Sequence, residues 1–301
     1  MGKGGYGTIG FWEEWYQEED HCEKFDWLLE YEEIGAALEF CLGWNHDSNI
    51  LITGCGNSML SSELFALGYR NLISIDNCPG VVSAQRLRYP MLNWEIRDVR
   101  ATGLADNTFD FILDKGCLDN LYCYLSPEEN VKKYMRECAR LLRPGGRFFL
   151  VSCHDAETTA KSLNICSDLW IFACQTFPNP RWPRIQIEHY QLALCQLILP
   201  QTNSTIDEEK GKNLAFFLKE AISRLSSHQD EDHNKNESLD TPIHLLRHSS
   251  TPPIPARVQH LEYRSSGLRH SSLIIDGSSA NNSSSSISER VTDEMKQKKY
   301  P

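Results

Sequence analysis

The sequence contains no long apolar run. No stretch approaches the roughly 20 residues that a membrane-spanning helix needs, and its start, MGKGGYGTIG, lacks the apolar segment of a secretory signal. The cysteines also lack the spacing of a metal site or a disulfide framework. The 11 cysteines include no Cys-x-x-Cys pair, and their number is odd. Such cysteines are typical of reduced core residues in an intracellular protein. We therefore expect a cytoplasmic protein with no metal and no membrane partner.

Positive charge is also scarce. The chain has 30 Lys and Arg against 41 Asp and Glu, which gives a formal net charge of −11. A nucleic-acid-binding face has to neutralise phosphates, so nucleic acid is not the expected main partner. An acidic chain would instead attract a basic protein by long-range electrostatics.

One stretch, NILITGCGNSMLSSELFALGYRNLISID over residues 49–76, carries the main signal. Its pattern predicts a buried strand, a glycine turn at Gly54 and Gly56, a helix capped by Asn57 or Ser58, and a second strand ending on Asp76. A tight glycine turn brings backbone N–H groups close to a ligand. A carboxylate at the tip of the next strand can accept both hydroxyls of a ribose. Together they predict the nucleotide half-site of a doubly wound α/β fold.

Two kinds of nucleoside cofactor suit such a half-site. A dinucleotide fingerprint requires a third glycine three residues after Gly56, beneath the pyrophosphate, and Met59 stands there. S-adenosylmethionine has no pyrophosphate, so this sequence favours it over a nicotinamide or flavin cofactor. The glycine turn by itself could also be an ordinary turn.

Acidic residues end the following strands as well. A third strand over residues 94–98 ends on Asp98, which with the backbone of Val99 could hold an adenine or could cap a loop. A fourth strand over residues 108–113 runs into DKGCLD, where Asp114 and Asp119 flank Lys115. Because ligands bind beyond the carboxyl ends of parallel strands, these carboxylates could orient a substrate amine. They could equally form a surface ion-pair cluster.

The rest of the chain completes a predicted α/β, seven-stranded Rossmann-like sheet with helices on both faces. Residues 1–45 form an aromatic and acidic lid, and residues 46–200 form the main domain, closed by an antiparallel hairpin at the sheet edge. That hairpin, over residues 169–176 and 186–199, is typical of class I methyltransferases. Residues 126–142 form a helix with a capping box from Ser126 and Glu129. An amphipathic helix over 207–226 and a disordered, Ser- and Asn-rich tail over 227–301 follow.

Four segments in order carry a resemblance: the stretch over 49–76, WEIRDVR, FDFILDKGCLD and RLLRPGGRFF. Together with the opening GFWEEWYQ, they resemble the methyltransferase-like family that includes the elongation factor 1-alpha lysine methyltransferases. The resemblance covers about residues 6–200. It implies S-adenosylmethionine-dependent methylation, mostly of protein lysine. The cofactor residues that it implies are Trp12, Tyr16, Trp27, Gly54, Asp76, Asn77, Asp98, Val99 and Lys115.

The chain departs from this family at several positions near the site. Cys117 stands where threonine is common, and residues 153–163 do not resemble the family's usual segment after the fifth strand. That segment helps to shape the substrate entrance. Elongation factor 1-alpha is the leading substrate, whereas a small-molecule methyltransferase and a catalytically silent cofactor-binding scaffold stay open as alternatives.

Overall fold

The computed structural model describes residues 5–17, 26–43, 45–180, 187–198 and 204–235, with the side chains of the last segment described over 209–225. Within these residues, seven strands form one mixed sheet in the order β3-β2-β1-β4-β5-β7-β6. Strands β1 to β5 pair in parallel, and β7 is antiparallel to both β5 and β6. The strands are β1 (Ile50–Thr53), β2 (Leu72–Asp76), β3 (Asn93–Ile96), β4 (Phe109–Lys115), β5 (Leu142–Ser152), β6 (Trp170–Pro178) and β7 (His189–Leu197).

Helices cover both faces of the sheet. They are α1 (Ile9–Trp15), α2 (Tyr31–Leu42), α3 (Leu60–Ala66), α4 (Pro79–Arg88), α5 (Cys117–Leu121), α6 (Pro127–Leu141), α7 (Ala156–Asn164) and α8 (Ser204–Lys235). Alternate residues of β1 point to opposite faces: Ile50 and Ile52 join the apolar cluster under α2, α3 and α4, whereas Leu51 joins the cluster under α5 and α6. The predicted α/β class, seven strands and closing hairpin are confirmed.

The strand order reverses at the centre of the sheet. From β1 the chain proceeds outward to β2 and β3, then crosses back so that β4 pairs with the other side of β1, with Thr53 opposite Asp114. The connections after β1 and β4 therefore leave in opposite directions. The crevice that opens between them is where ligands bind in doubly wound sheets.

One predicted helix cap is wrong, and the other lies one residue before the position that starts the helix. Ser126 has a φ of 58° and no capping bond from its side chain, and its carbonyl oxygen accepts a hydrogen bond from the Asn130 side chain. Helix α3 begins after Met59, without a side-chain cap at that position. The Ser58 hydroxyl accepts a bond from the Leu60 N–H and donates to Asp26, a residue from outside this stretch.

The C-terminal helix α8 packs against α2 and β6. Leu214, Leu218 and Ala221 are buried, and the Phe217 ring stacks on Phe40 with a centroid distance of 4.5 Å. The helix extends beyond the predicted 207–226, so residues 227–235, which we predicted to be disordered, are helical. Residues 236–301 lie outside the described residues, where the predicted tail stays a prediction. Among the described helices, none is both long and apolar enough to cross a membrane.

Replacing Leu218 by alanine should lower the free energy of unfolding by about 2–5 kcal/mol, because the side chain is buried and leaves a cavity between α8 and the sheet. Phe216, on the same helix but 67% exposed, is the matched control and should change stability by less than about 0.5 kcal/mol. Urea denaturation of both variants measures the two values. Equal small effects would show that α8 does not pack on the domain in solution.

Candidate active site

A cavity of about 500 Å³ opens above the carboxyl ends of β1, β2 and β4. The predicted residues from the N-terminal lid, Trp12, Tyr16 and Trp27, line one side of it. The predicted residues from the strand ends, Gly54, Asp76, Asn77, Asp98, Val99 and Lys115, line the other side. Asp119 also lines the cavity, whereas Asp114 does not. The structure therefore brings the predicted cofactor residues together in one place.

The turn after β1 requires glycine at both positions. Gly54 has a φ of +57°, and a Cβ there would lie 2.8 Å from the Cys117 Sγ. Gly56 has a φ of +50°, and its Cβ would lie 2.7 Å from the Tyr16 hydroxyl. A side chain at either position would be strained and would clash. The bare backbone lets Tyr16 and the start of α5 pack tightly against this part of the cavity.

Asp76 is held rigidly at the tip of β2. Its Oδ2 accepts a hydrogen bond of 2.9 Å from the Gly56 N–H, and its Oδ1 accepts one of 3.0 Å from the Cys78 N–H. Burial raises the pKa of this carboxyl, and the backbone donors offset part of that rise. A carboxylate has about four acceptor positions, so each oxygen keeps one for a ligand. This geometry fits a pair of neighbouring hydroxyls.

Asp98 forms an ion pair with Arg100, which was not predicted from the sequence. The Arg100 Nε donates to Oδ1 at 2.9 Å, and its Nη2 donates to Oδ2 at 2.6 Å. Burial raises the pKa of Asp98, but the hydrogen bonds from Arg100 outweigh it, so the pKa is lowered. The guanidinium lies 5.1 Å above the Tyr124 ring, and both residues line the cavity. Asp98 thus orients Arg100 and, through it, the cation–π contact with Tyr124.

The N-terminal aromatic residues form a packed wall. Trp12 stacks on Tyr16 at a centroid distance of 5.9 Å and meets Trp27 edge-on at 5.8 Å. Glu13, on the same helix, accepts a 3.1 Å hydrogen bond from the Gly80 N–H in the first turn of α4. Helix α1 is therefore docked over the cavity by both ring packing and a polar bond.

Lys115 ties this wall to the sheet. Its buried Nζ donates to the Asp26 Oδ1 at 2.8 Å and to the Trp27 carbonyl at 2.7 Å. Asp26 also accepts from the Ser58 hydroxyl and from the Met59 N–H. Burial raises the pKa of Asp26, but the charge and the hydrogen bond of Lys115 lower it by more, so the net shift of the pKa is downward. Lys115, predicted as a cofactor residue, is thus engaged with the lid.

Asp114 was predicted to position a substrate amine, but its carboxylate is used within the fold. Its carboxylate accepts hydrogen bonds from the Tyr134 hydroxyl at 2.8 Å and from the N–H groups of Cys117 and Leu118 at 2.8 and 3.0 Å. The pKa of Asp114 is raised to about 7, mainly by burial. The Tyr134 hydrogen bond offsets part of this rise, and the charge of the nearby Asp119 adds to it. Asp114 therefore caps the start of α5 and is not a candidate for positioning a substrate amine.

Asp119 keeps one acceptor available. Its Oδ1 accepts from the Ser152 hydroxyl and the Cys153 N–H, both at 2.9 Å, and from the Cys153 thiol at 3.1 Å. Its buried Oδ2 has no hydrogen-bond partner among the described residues. A buried carboxylate oxygen without a partner is costly. A cationic group entering the cavity could satisfy it.

Comparison with known proteins agrees with this geometry. Residues 51–150 match the family described as a methyltransferase domain. This part of the chain is therefore similar to a methyltransferase domain. The domain's glycine turn, strand-end carboxylates and α5 all fall within the matched residues. Among the described residues, no group of His, Cys, Asp and Glu could hold a metal ion.

Curated relatives point to the same family. The chain is 36% identical over 156 residues to EEF1A lysine methyltransferase 4 of Mus musculus, which covers 48% of this chain and 60% of that protein. It is 29% identical over 167 residues to the eEF1A lysine and N-terminal methyltransferase of Homo sapiens, covering 52% of this chain and 23% of that protein. The chain thus spans less than two thirds of these relatives. The predicted family resemblance is confirmed.

One solved structure supports the fold alone. The N-methyltransferase NodS from Bradyrhizobium japonicum WM9, in complex with S-adenosyl-L-homocysteine, superposes with a TM-score of 0.51 at 19% identity. The superposition covers 64% of this chain and 98% of NodS. The described part of this chain therefore shares the fold of NodS.

Proposed function

We propose that this chain is an S-adenosylmethionine-dependent protein-lysine N-methyltransferase. The proposal rests on two carboxylates that line one cavity. Asp76 is placed to accept hydrogen bonds from ribose hydroxyls, and the Oδ2 of Asp119 has no hydrogen-bond partner among the described residues. The first suits the nucleoside of a cofactor and the second suits a cationic amine. The names of the curated relatives favour the same chemistry.

The cavity residues fit S-adenosylmethionine. Asp76 would accept the ribose hydroxyls, with Asn77 beside it, and Asp98 and the backbone of Val99 would hold the adenine. The bare backbone at Gly54 would approach the amino-acid end of the cofactor, and Trp12, Tyr16 and Trp27 would cover it. A volume of about 500 Å³ is adequate for a molecule of this size. When bound, the cofactor supplies a methyl group on a sulfonium.

The protein's own contribution would be alignment and desolvation. The in-line displacement needs the amine held at near-attack distance from the methyl carbon. A lysine ammonium has no lone pair, so it must lose a proton first, and the aromatic wall lowers its pKa by excluding water. Asp119 Oδ2 would accept a hydrogen bond from this amine and orient it.

Elongation factor 1-alpha is the proposed substrate, and the cytoplasm is the proposed location. The mouse and human relatives, which are named for methylation of this factor, support the substrate. The net charge of −11 supports a basic protein partner and disfavours nucleic acid. The attraction should weaken with salt, because the Debye length is about 10 Å at 0.1 M.

Purified elongation factor 1-alpha should gain a methyl group on one or more lysines when it is incubated with the enzyme and S-adenosylmethionine. Peptide mass spectrometry identifies the modified lysine, and the Asp76→Ala variant is the inactive control. The initial rate should fall as the salt concentration rises, since charge attraction speeds the encounter.

Three outcomes separate the alternatives. Methylation of another lysate protein would keep the chemistry and exclude the named substrate. Methylation of small metabolites alone would favour a small-molecule methyltransferase. Cofactor binding by calorimetry, without methylation of protein or metabolite, would indicate a catalytically silent scaffold.

A further inference from the structure

His154 is a buried histidine whose two ring nitrogens, Nδ1 and Nε2, have no hydrogen-bond partner among the described residues. Its side chain is 1% exposed. A neutral imidazole carries one N–H donor and one acceptor, so burial without either bond is unfavourable. Unpaired groups of this kind in a folded protein call for an explanation, which often is catalytic.

The ring lies directly behind the carboxylate that faces the cavity. Its Nε2 is 3.8 Å from the Asp119 Oδ1. The Ser152 hydroxyl donates to the same Oδ1 at 2.9 Å and accepts the His154 backbone N–H at 3.1 Å. One serine therefore fixes the position of both residues, after β5 and at α5. The Tyr122 ring packs against the imidazole at 4.4 Å and holds it from the other side.

We infer that Asp119 and His154 form an acid–base pair that deprotonates the substrate amine. Asp119 would contact the amine through Oδ2, and His154 would hold the proton behind it without touching the substrate. This inference rests on the proposed methyl transfer to an amine. An acid–base pair would explain why both the Oδ2 of Asp119 and the Nε2 of His154 are buried without a hydrogen-bond partner among the described residues.

The steps balance in charge and protons. An N–H bond of the ammonium breaks, its proton goes to the Asp119 carboxylate, and the nitrogen keeps the electron pair. The protonated carboxyl group would then turn about its Cβ–Cγ bond, which brings its O–H to the His154 side, and would pass that proton to Nε2 once the 3.8 Å gap closes to hydrogen-bond length. The neutral amine would form its N–C bond as the C–S bond of the cofactor breaks. Because His154 is buried, its proton would return to water through the Asp119 carboxylate after the product has left the cavity.

Among the described residues, the titratable groups near this pair are Tyr122, Cys153, Cys123 and Asp114, and Asp155 follows in the chain. Burial raises the pKa of Tyr122, so it remains a neutral phenol at physiological pH. Burial also raises the pKa of the Cys153 thiol well above its usual range, and the charge of Asp119 adds to that rise. Tyr122 and Cys153 are therefore not competing proton acceptors. The Asp114 carboxylate is engaged by the Tyr134 hydroxyl and by the N–H groups of Cys117 and Leu118.

The test measures kcat of wild type, His154→Phe and His154→Gln across a range of pH, with a substrate that the wild-type enzyme methylates. Phenylalanine keeps a ring against Tyr122, and glutamine keeps hydrogen-bonding capacity, but neither takes up a proton. We expect kcat to fall by about 10²–10⁴-fold at neutral pH in both variants. The deficit should shrink as pH rises, because the amine then loses its proton unaided. KM and the calorimetric affinity for S-adenosylhomocysteine should stay within about twofold.

His46→Phe is the matched control, since His46 also packs edge-on against a tyrosine ring, Tyr69 at 5.0 Å, whereas the ring with Asp119 as its neighbour is that of His154. Its kcat should equal that of wild type. A recovered kcat in His154→Gln, or a deficit independent of pH, would show a structural role and overturn the inference while the proposed function stands. If wild type and His46→Phe methylate nothing, the proposed function fails.

If no substrate is methylated, nuclear magnetic resonance can still test whether Asp119 and His154 interact. The ¹⁵N shift of the His154 Nε2 in the protein loaded with S-adenosylhomocysteine should change on Asp119→Asn, because the carboxylate is its nearest charged neighbour. An unchanged shift would mean that the two side chains are not coupled, and the inference would fall independently of activity.

Discussion

The Asp76→Ala variant should bind S-adenosylmethionine about 10²–10⁴-fold more weakly than wild type. The carboxylate would accept two ribose hydroxyls, and each charge-assisted hydrogen bond contributes about 1.5–3 kcal/mol. Every 1.4 kcal/mol changes the dissociation constant about tenfold. Isothermal titration calorimetry with the cofactor and with S-adenosylhomocysteine measures the change directly.

The same substitution also removes two backbone contacts, so a second variant separates binding from folding. In Asp76→Ala the N–H groups of Gly56 and Cys78 lose their acceptor, and the glycine turn loosens. Asp76→Asn keeps one amide oxygen, removes the charge and should show an intermediate affinity. Asp110→Asn is the matched control, because Asp110 also accepts a backbone N–H, from Asn49 at 2.8 Å, outside the cavity. Unchanged affinity in both Asp76 variants would disprove the ribose assignment.

The parts of the site that follow strand ends could be predicted from the sequence. An apolar run that stops at Gly54 and another that stops at Asp76 locate the carboxyl ends of two parallel strands without any knowledge of distant contacts. Because parallel strands in one sheet present these ends on the same edge, residues far apart in sequence meet there. This local rule is enough to place Gly54, Asp76 and Asp98 around one cavity.

The parts that depend on distant pairing could not be predicted. Asp26 lies 89 positions from Lys115 in a segment whose neighbours are mostly aromatic or acidic, so nothing local marks it as the partner of that lysine. His154 likewise comes to lie beside Asp119 only after the chain has folded. Side-chain networks of this kind depend on tertiary geometry, which periodicity does not encode.

The distinction between Asp114 and Asp119 was within reach of the sequence. In β4, Phe111 and Leu113 face the cluster under α2, and Ile112 faces the cluster under α5 and α6. Strand alternation therefore directs Asp114 towards α6 and Lys115 to the opposite face. The missing signal was the helix start, since the first N–H groups of α5 require an acceptor and Asp114 supplies it.

Replacing Lys115 by methionine should lower the free energy of unfolding by about 3–5 kcal/mol, because it leaves the Asp26 carboxylate buried without its cation. Both side chains are less than a tenth exposed, so water does not screen the pair. Methionine keeps the length of the lysine stem, which limits the loss of packing. Urea denaturation measures the effect, and stopped-flow release of S-adenosylhomocysteine should be faster, since Lys115 also holds the Trp27 carbonyl.

The double variant Lys115→Met/Asp26→Asn should recover most of the lost stability, because a neutral amide at position 26 removes the unpaired charge. The pH dependence gives a second check. The folded-state pKa of Asp26 lies below its ordinary value, so the pair stabilises the protein above about pH 4 and the benefit is lost as pH falls through the folded pKa. Wild type and Lys115→Met should therefore converge in stability at low pH. A constant difference would mean that the lysine acts through its apolar stem, and a loss of cofactor affinity without any loss of stability would make Lys115 a cofactor ligand after all.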